Sequence, residues 1–184
     1  MSGPPDVGLP SLLVSDAWQD NEAKMYELRG RFIEAMCLVE DGVDGAIASR
    51  WCAPEDQWDF ITTFVARTPV FRKKDLLIQS LRALGWDAER IKSFIANLLE
   101  LVDWRNHMAH GRYYACGLWY DENGDLLPPE QVPFTILLNK PGEPHQLDRQ
   151  DLHDLIARAE VLVSGLRDIV DEWLPKRPVS RGSA

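Results

Sequence analysis

The sequence predicts a mainly α-helical fold, an antiparallel bundle of about five helices with a β-hairpin insertion before the last helix. Apolar residues recur at spacings of three and four through most of the chain, which is the period of a helix with one face on a core. The period changes only between about residues 113 and 140, where segments of strand composition flank Asp121-Glu122-Asn123-Gly124, and an Asn-Gly pair favours a tight turn. A chain of 184 residues suits one domain.

The first helix is marked by a long apolar stripe. It begins at Ser15 or Asp16, because both residue types cap helices well. We expect its buried face to consist of Met25, Leu28, Phe32, Met36, Val39, Val43 and Ile47. The preceding residues 1–14 are rich in Pro and Gly and are predicted to be a flexible lead-in.

The next three helices are marked mainly by their ends. Pro54 begins the second helix, since Pro suits the first helical turn. The residues of this helix that we expect to face inward are Trp58, Ile61, Phe64 and Val65. Gly85 ends the third helix, because Gly readily takes the left-handed cap conformation. Asp87 then opens the fourth helix.

The insertion and the last helix complete the domain. Strands are predicted at Tyr114–Tyr120 and Pro133–Leu138 from their composition. Asp148 caps the last helix, in which apolar residues again recur at spacings of three and four. Residues 175–184 are short and polar and are predicted to be a disordered tail. The helical domain is therefore expected to cover residues 15–174.

Composition excludes several classes of protein. No apolar run approaches the roughly 18 to 20 residues that cross a bilayer, and the N-terminus lacks the basic and apolar regions of a signal peptide. We therefore expect a cytoplasmic protein without membrane contact. Cys37, Cys52 and Cys116 are odd in number and show no C-x-x-C spacing, so neither a disulfide framework nor a zinc site is indicated. No cofactor is expected.

The charge is unevenly distributed. A formal net charge of -9 argues against broad attraction to phosphate backbones, which requires an excess of basic residues on a surface. Between Arg67 and Arg112, however, nine bases face only five acids. This segment is therefore +4, and the remainder of the chain is -13.

The most informative stretch is Arg105-Asn106-His107-Met108-Ala109-His110-Gly111. It ends the fourth helix, and Arg105 arrives where the apolar pattern calls for a core residue. A His with a pKa near neutrality can accept or donate a proton, and an Arg guanidinium can stabilise charge that develops on a phosphate. The stretch thus has residue types that can transfer protons and stabilise a charged phosphate.

Arg105, Asn106 and His110 resemble the motif of the HEPN ribonuclease superfamily, in which an Arg and a polar residue are followed a few positions later by His. The order of the helices is also similar. The resemblance implies a homodimer that cuts RNA without metal to a cyclic phosphate and a 5'-hydroxyl, with the motifs of two protomers facing each other. His110 would act as general base or acid, and Arg105 would stabilise the phosphate. Asn106 would orient either His110 or the RNA. Toxin-antitoxin or anti-phage systems, with an antitoxin or sensor protein as partner, are the implied setting.

Helix geometry constrains how these residues act. At about 100° per residue, Asn106 and His110 lie within roughly 40° of each other, whereas Arg105 and His110 are roughly 140° apart. Either the helix distorts before Gly111, or Arg105 and His110 meet groups from a second copy in a symmetric interface.

Other residues are candidates for supporting roles. Glu40 and Asp44 are one turn apart on the first helix, and an acid from this helix orients the motif in some HEPN proteins; a solvated acidic face explains them equally well. Lys73 and Lys74 would guide RNA or be ordinary exposed lysines.

His107, Arg112 and Tyr113 are further neighbours of the motif. In HEPN toxins that a nucleotidyltransferase regulates, one residue separates the His from a Tyr. Here two residues separate His110 from Tyr113, which argues against that regulation. His107 and His110 are one turn apart but have no third ligand at metal-site spacing, so no metal site is predicted.

Two other interpretations of the motif stay open. The chain would be a non-catalytic HEPN module that binds a nucleotide or a protein partner, which its net acidity favours. Alternatively, Arg105, Asn106 and His110 would only tie the end of a buried helix to neighbouring backbone, since helix ends leave carbonyl groups without partners.

Overall fold

The structure is a computed structural model. It describes residues 16–114, 122–125, 127–128, 134–137 and 145–173. Within them, the predicted mainly helical bundle is confirmed. Four helices of more than ten residues are described: α1 (Asp16–Trp51), α3 (Val70–Ala83), α4 (Ala88–His110) and α5 (Arg149–Trp173), with a single turn, α2 (Gln57–Phe60), between the first two. The predicted lead-in 1–14 and tail 175–184 lie outside the described residues.

The core is built on α1 and α5. All seven apolar residues predicted for the buried face of α1 are buried, which confirms that stripe. The two helices run parallel, since Asn21 contacts Arg149 near the start of each helix and Gly42 packs on Leu166 further toward the C-terminal end of each. A Cβ atom on Gly42 would lie 3.0 Å from the Leu166 Cβ, so this glycine permits the close approach of the two helices.

The helix ends follow the predicted signals. Gly85 has a φ of +86° after α3, a conformation that Gly adopts without steric cost. The Asp87 carboxylate accepts a hydrogen bond from the Arg90 amide at 2.8 Å. Asp148 and Asp151 each accept a hydrogen bond from the other's backbone amide at the start of α5. These caps are confirmed because they depend on residues close together in sequence.

The segment between α1 and α3 differs from the prediction. Instead of one amphipathic helix it contains a 3-10 turn (Pro54–Asp56), α2 and a π-helical turn (Ile61–Val65). Val65 is buried as expected, but Trp58 and Phe64 are 73% and 65% exposed, so their predicted inward orientation is wrong. A π turn contains more residues than an α turn, and it therefore changes the face on which Phe64 lies, whereas Trp58 belongs to the single turn α2 before it.

A small antiparallel sheet lies between α4 and α5 in sequence. Its order is β1 (Arg112–Tyr114), β2 (Phe134–Leu137) and β3 (His145–Leu147), with Tyr113 opposite Ile136. The second predicted strand contains β2, whereas residues 115–120 of the first lie outside the described residues, and β3 was not predicted. No helix in the described part of the chain is long and apolar enough to span a membrane.

Candidate active site at the end of helix α4

Helix α4 carries the motif and stays regular to its end. It is α-helical from Ala88 to His110, and the Gly111 amide continues the pattern with a bond of 2.7 Å to the His107 carbonyl. The distortion considered before Gly111 does not occur. Because the helix is regular, Arg105 and His110 project from sides of α4 that are roughly 140° apart.

Arg105 is held at the edge of the core. Its Nε lies 3.5 Å from Oε1 of Glu40, and each of these two side chains is 29% exposed. One terminal nitrogen donates a hydrogen bond of 3.2 Å to Oδ1 of Asn106. The buried Nε has no hydrogen bond within the described part of the chain, so Glu40 attracts the guanidinium by charge. The planar guanidinium has five N–H donors, of which these contacts engage few.

Helix α1 positions the motif at two points. Glu40 follows the buried Val39 and therefore lies beside the core stripe, facing α4. Lower on the same helix, Nε of Arg29 donates a hydrogen bond of 2.9 Å to the Met108 carbonyl. This carbonyl belongs to the last turn of α4, where carbonyl groups have no partner within the helix. The two contacts fix the last turn of α4 against α1.

Arg105 and Asn106 line an open groove of about 810 Å³. The groove lies between α1, the segment 66–71, the start of α3 and the C-terminal half of α4. Its charged lining residues are three bases and three acids: Arg67, Lys73, Arg105, Glu40, Glu100 and Asp103. His110 is exposed and is not part of this lining. One chain therefore presents the Arg and the His of the motif on different surfaces.

The predicted supporting residues fall into two groups. Glu40 contacts the motif, but Asp44 does not, because its carboxylate is paired with Lys73 at 2.5 Å. This pair joins α1 to α3, and both residues are buried, at 6% and 4% exposure. Burial raises the pKa of the Asp44 carboxyl, and the hydrogen bond and charge of Lys73 oppose that rise. Neither a solvated acidic face nor an exposed lysine therefore describes these two residues. Lys74 lies outside the groove lining, 4.0 Å from Asp75.

Of the remaining candidates, only His107 has a side chain in the described part of the structure, and it does not line the groove. His107 is half-buried, with Nε2 3.4 Å from Oδ2 of Asp103 and its ring edge-on to Trp104. Arg112 and Tyr113 form the start of β1 directly after α4, but their side chains lie outside the described part of the structure. Among the described residues, no group of three or more His, Cys, Asp and Glu side chains is arranged to hold a metal ion.

Three residues near the site were not among the predicted site residues, although Arg67 was counted in the basic segment. Arg29 stands four residues after Met25 and three before Phe32, a position beside the buried stripe that is a detectable signal for a tertiary contact. Arg67 and Phe71 line the groove, but they flank the Thr68-Pro69 break, where periodicity gives no information about facing.

Comparison with protein-family models, with curated proteins and with solved structures found no match for this chain.

Proposed function

We propose that this protein is a homodimeric, metal-independent endoribonuclease of the HEPN type. One observation carries the proposal: the guanidinium of Arg105 is held half-buried beside Glu40 and Asn106 in the wall of an open groove. The exposed His110 ends the same helix. A cation fixed in this way suits a phosphate whose charge grows in the transition state, and an exposed imidazole can accept or donate a proton.

The reaction needs only the RNA and these side chains. A base, the His110 imidazole in one of its two possible roles, removes the proton of a ribose 2'-hydroxyl. The 2'-oxygen attacks the adjacent phosphorus, and the bond from phosphorus to the 5'-oxygen breaks as that oxygen takes up a proton from the His110 imidazolium or from water, which balances the proton removed from the 2'-hydroxyl. Arg105 stabilises the charge on the phosphorane, and Asn106 orients either His110 or the RNA. The products are a 2',3'-cyclic phosphate and a 5'-hydroxyl.

A second copy supplies the missing half of the site. Arg105 and His110 of one regular helix point in directions roughly 140° apart, which is too far for both to reach one phosphate. In a two-fold symmetric dimer the same surface occurs on both subunits, so that Arg105 of one copy can meet His110 of the other. Each dimer then contains two equivalent composite sites. Such an enzyme fits a toxin-antitoxin or anti-phage role in the cytoplasm, with an antitoxin or sensor protein as its regulator.

The test compares the parent protein with Arg105→Ala and His110→Ala on a mixed RNA substrate in the presence of EDTA. Arg82→Ala and His153→Ala are matched controls, because both residues are exposed and outside the groove. We expect the parent and both controls to cut RNA and leave a cyclic phosphate. The two motif variants should be inactive although circular dichroism shows the same fold. An RNA in which every 2'-hydroxyl is replaced by hydrogen should stay intact.

A second candidate is a non-catalytic module that binds a nucleotide or a protein. The equal numbers of acids and bases in the groove favour it, because acids oppose the binding of a long polyanion. A binding module should cut no RNA in the assay above. Calorimetry should instead detect binding of a mononucleotide to the parent, and Arg105→Ala should abolish that binding.

A further inference from the structure

An exposed aromatic ring lies in the groove that contains Arg105. Phe71, in the first turn of α3, is 61% exposed and belongs to the groove lining. Its neighbour Val70 packs against the core, whereas Phe71 does not. The guanidinium carbon of Arg72 is 5.8 Å from the centre of the Phe71 ring, close to the roughly 6 Å limit of a cation–π contact. The ring is therefore accessible and only weakly engaged.

The groove combines the two features that proteins use to hold unpaired nucleotides. Flat aromatic side chains stack on bases, and basic side chains contact the phosphates that connect them. Here Phe71 supplies the ring, while Arg67, four residues earlier, and Arg105 supply positive charge in the same groove. A volume of about 810 Å³ is within the roughly 300 to 1,000 Å³ of sites that enclose small ligands. It is enough for a nucleotide beside Arg105.

We propose that Phe71 is a stacking platform for an unpaired base, and that the substrate of this site is single-stranded RNA. The inference rests on the proposed function, because it assumes that the scissile phosphate lies at Arg105. With that phosphate on Arg105, an adjacent base lies on Phe71 and its own phosphate lies near Arg67. Double-stranded RNA is excluded, because its bases are already stacked and paired and cannot turn onto the ring.

Other exposed aromatics supply the contrast that a test needs. Phe64 is 65% exposed, slightly more than Phe71, and it lies seven residues earlier in the chain. It does not line the groove. Replacing either ring with Ala removes a similar exposed apolar surface. A difference in RNA binding between the two variants therefore reports on the groove and not on non-specific hydrophobic contact.

The experiment measures binding separately from cleavage. A fluorescent 12-nucleotide single-stranded RNA of mixed sequence is titrated with the His110→Ala protein, and fluorescence anisotropy gives the dissociation constant. Phe71→Ala in this background should weaken binding roughly tenfold, the scale of one lost base-stacking contact. Phe71→Trp should retain binding, Phe64→Ala should leave it unchanged, and a duplex of the same sequence should bind at least tenfold more weakly than the single strand.

Several outcomes overturn the proposal. Equal loss in Phe71→Ala and Phe64→Ala, no rescue by Trp, or equal binding of single strand and duplex each contradicts a stacking site. Light scattering that finds Phe71→Ala monomeric and the parent dimeric would place Phe71 in a protein interface instead.

The test also separates this inference from the proposed function. A parent that cuts no RNA but binds the single strand through Phe71 refutes the ribonuclease and leaves the stacking site. A parent that cuts RNA while Phe71→Ala binds and cuts normally refutes the stacking site alone. Absence of any RNA binding refutes both.

Discussion

Glu40 of α1 lies 3.5 Å from Nε of Arg105 on α4, and this ion pair is one of the two points described above at which the long first helix contacts the motif. Both side chains are 29% exposed, so the pair is shielded from water more than a surface pair but is not buried. It joins residues 65 positions apart in sequence. Glu40 therefore acts on Arg105 in a way that the residues next to the motif cannot: it limits where the guanidinium can lie in the groove.

Replacement of Glu40 tests that positioning role. In Glu40→Gln the charge attraction is lost, and Arg105 gains freedom to turn toward water, so RNA cleavage should fall about tenfold, which corresponds to about 1.4 kcal/mol of transition-state stabilisation. The loss should appear in kcat more than in KM, because a misplaced cation affects the developing charge more than ground-state binding. Steady-state kinetics on a short RNA measures both constants.

Glu34→Gln is the matched control for this variant. Glu34 is exposed on α1 and does not line the groove with Arg105, so its kinetics should equal those of the parent. Glu40→Asp should recover part of the lost kcat, since it restores the charge on a shorter side chain. A Glu40→Gln variant as fast as the parent would show that Glu40 only neutralises Arg105 and does not position it.

The contrast between Glu40 and Asp44 also shows what the sequence can and cannot predict. The stripe of α1, the Asp87 cap and the turn at Gly85 were predictable because each depends on residues within a few positions. Both acids were candidates to orient the motif, but only the structure distinguishes them. Asp44 is partnered by Lys73, and the side of α1 that α3 covers depends on tertiary packing.

The connection between α1 and α3 marks a second limit of sequence reasoning. Its apolar residues fit a helical period, but the π turn at Ile61–Val65 changes the facing of Phe64, and no local pattern signals such a turn. The candidate site was predicted at Arg105 and His110 because residue chemistry and spacing are visible in sequence. The groove beside Arg105 was not, since segments 66–71 and 99–106 meet only in the folded chain.

Removal of one member of the Asp44–Lys73 pair should lower the free energy of unfolding strongly, whereas replacement of both members with apolar residues should lower it little. Lys73→Met leaves a buried carboxylate without its partner, and we expect a loss of about 3 to 5 kcal/mol in the free energy of unfolding at neutral pH. The double variant with Asp44→Val should recover most of that loss, because two packed apolar side chains avoid the cost of burying charge. Urea denaturation of the parent, the single variant and the double variant measures these differences.

The cost of Lys73→Met should depend on pH. Burial already raises the pKa of Asp44 above 3.8, and removal of Lys73 leaves that rise unopposed. The folded state then holds its proton at a pH where the unfolded state has released it, so stability falls as pH increases through this range. The penalty should therefore shrink as pH is lowered from 7 toward 4. A penalty that is constant with pH would show that lost packing, not the unpaired carboxylate, is responsible.

The Glu100–Arg158 pair should show the opposite pH dependence. Two hydrogen bonds of 3.0 and 2.7 Å join Arg158 of α5 to the Glu100 carboxylate on α4, and the bond from Arg158 lowers the pKa of Glu100 below 4.5. Its stabilisation is therefore present above about pH 4.5 and is lost as pH falls through the folded-state pKa. Because Glu100 is 55% exposed, solvent screening limits the effect of Glu100→Gln to about 1 kcal/mol or less at pH 7.

Thermal unfolding between pH 3 and 7 measures this difference. The gap in stability between the parent and Glu100→Gln should close toward pH 3. Glu89→Gln is the control, since Glu89 lies on the same helix, 86% exposed and 3.9 Å from Lys92, and its replacement should change stability by no more than about 0.5 kcal/mol. A gap that is as large at pH 3 as at pH 7 would contradict the ionic origin of the contact.

Two glycines of α1 should respond to alanine with opposite signs. At Gly30 a new Cβ meets no atom within 4 Å, so Gly30→Ala should stabilise the protein by up to about 1 kcal/mol through helix propensity. At Gly42 the new Cβ would lie 3.0 Å from the Leu166 Cβ, and Leu166 would have to shift slightly to relieve the contact. Gly42→Ala should therefore destabilise by about 1 to 3 kcal/mol, the usual cost of overpacking. Urea denaturation decides, and stabilisation by both variants would show that the α1–α5 contact is adaptable.

Mixed dimers give the most direct test of the composite site. If each site takes Arg105 from one copy and His110 from the other, a dimer of one Arg105→Ala chain and one His110→Ala chain has one site with both residues intact and one with neither. Half of randomly paired dimers are mixed, so co-expression of two inactive variants should restore roughly a quarter of the parent activity. Dimers purified through two different tags should show about half. If instead both residues act within one chain, every mixed dimer lacks a complete site and no activity returns. Because each variant alone is the inactive control, recovery in the mixture can come only from residues shared across the two copies.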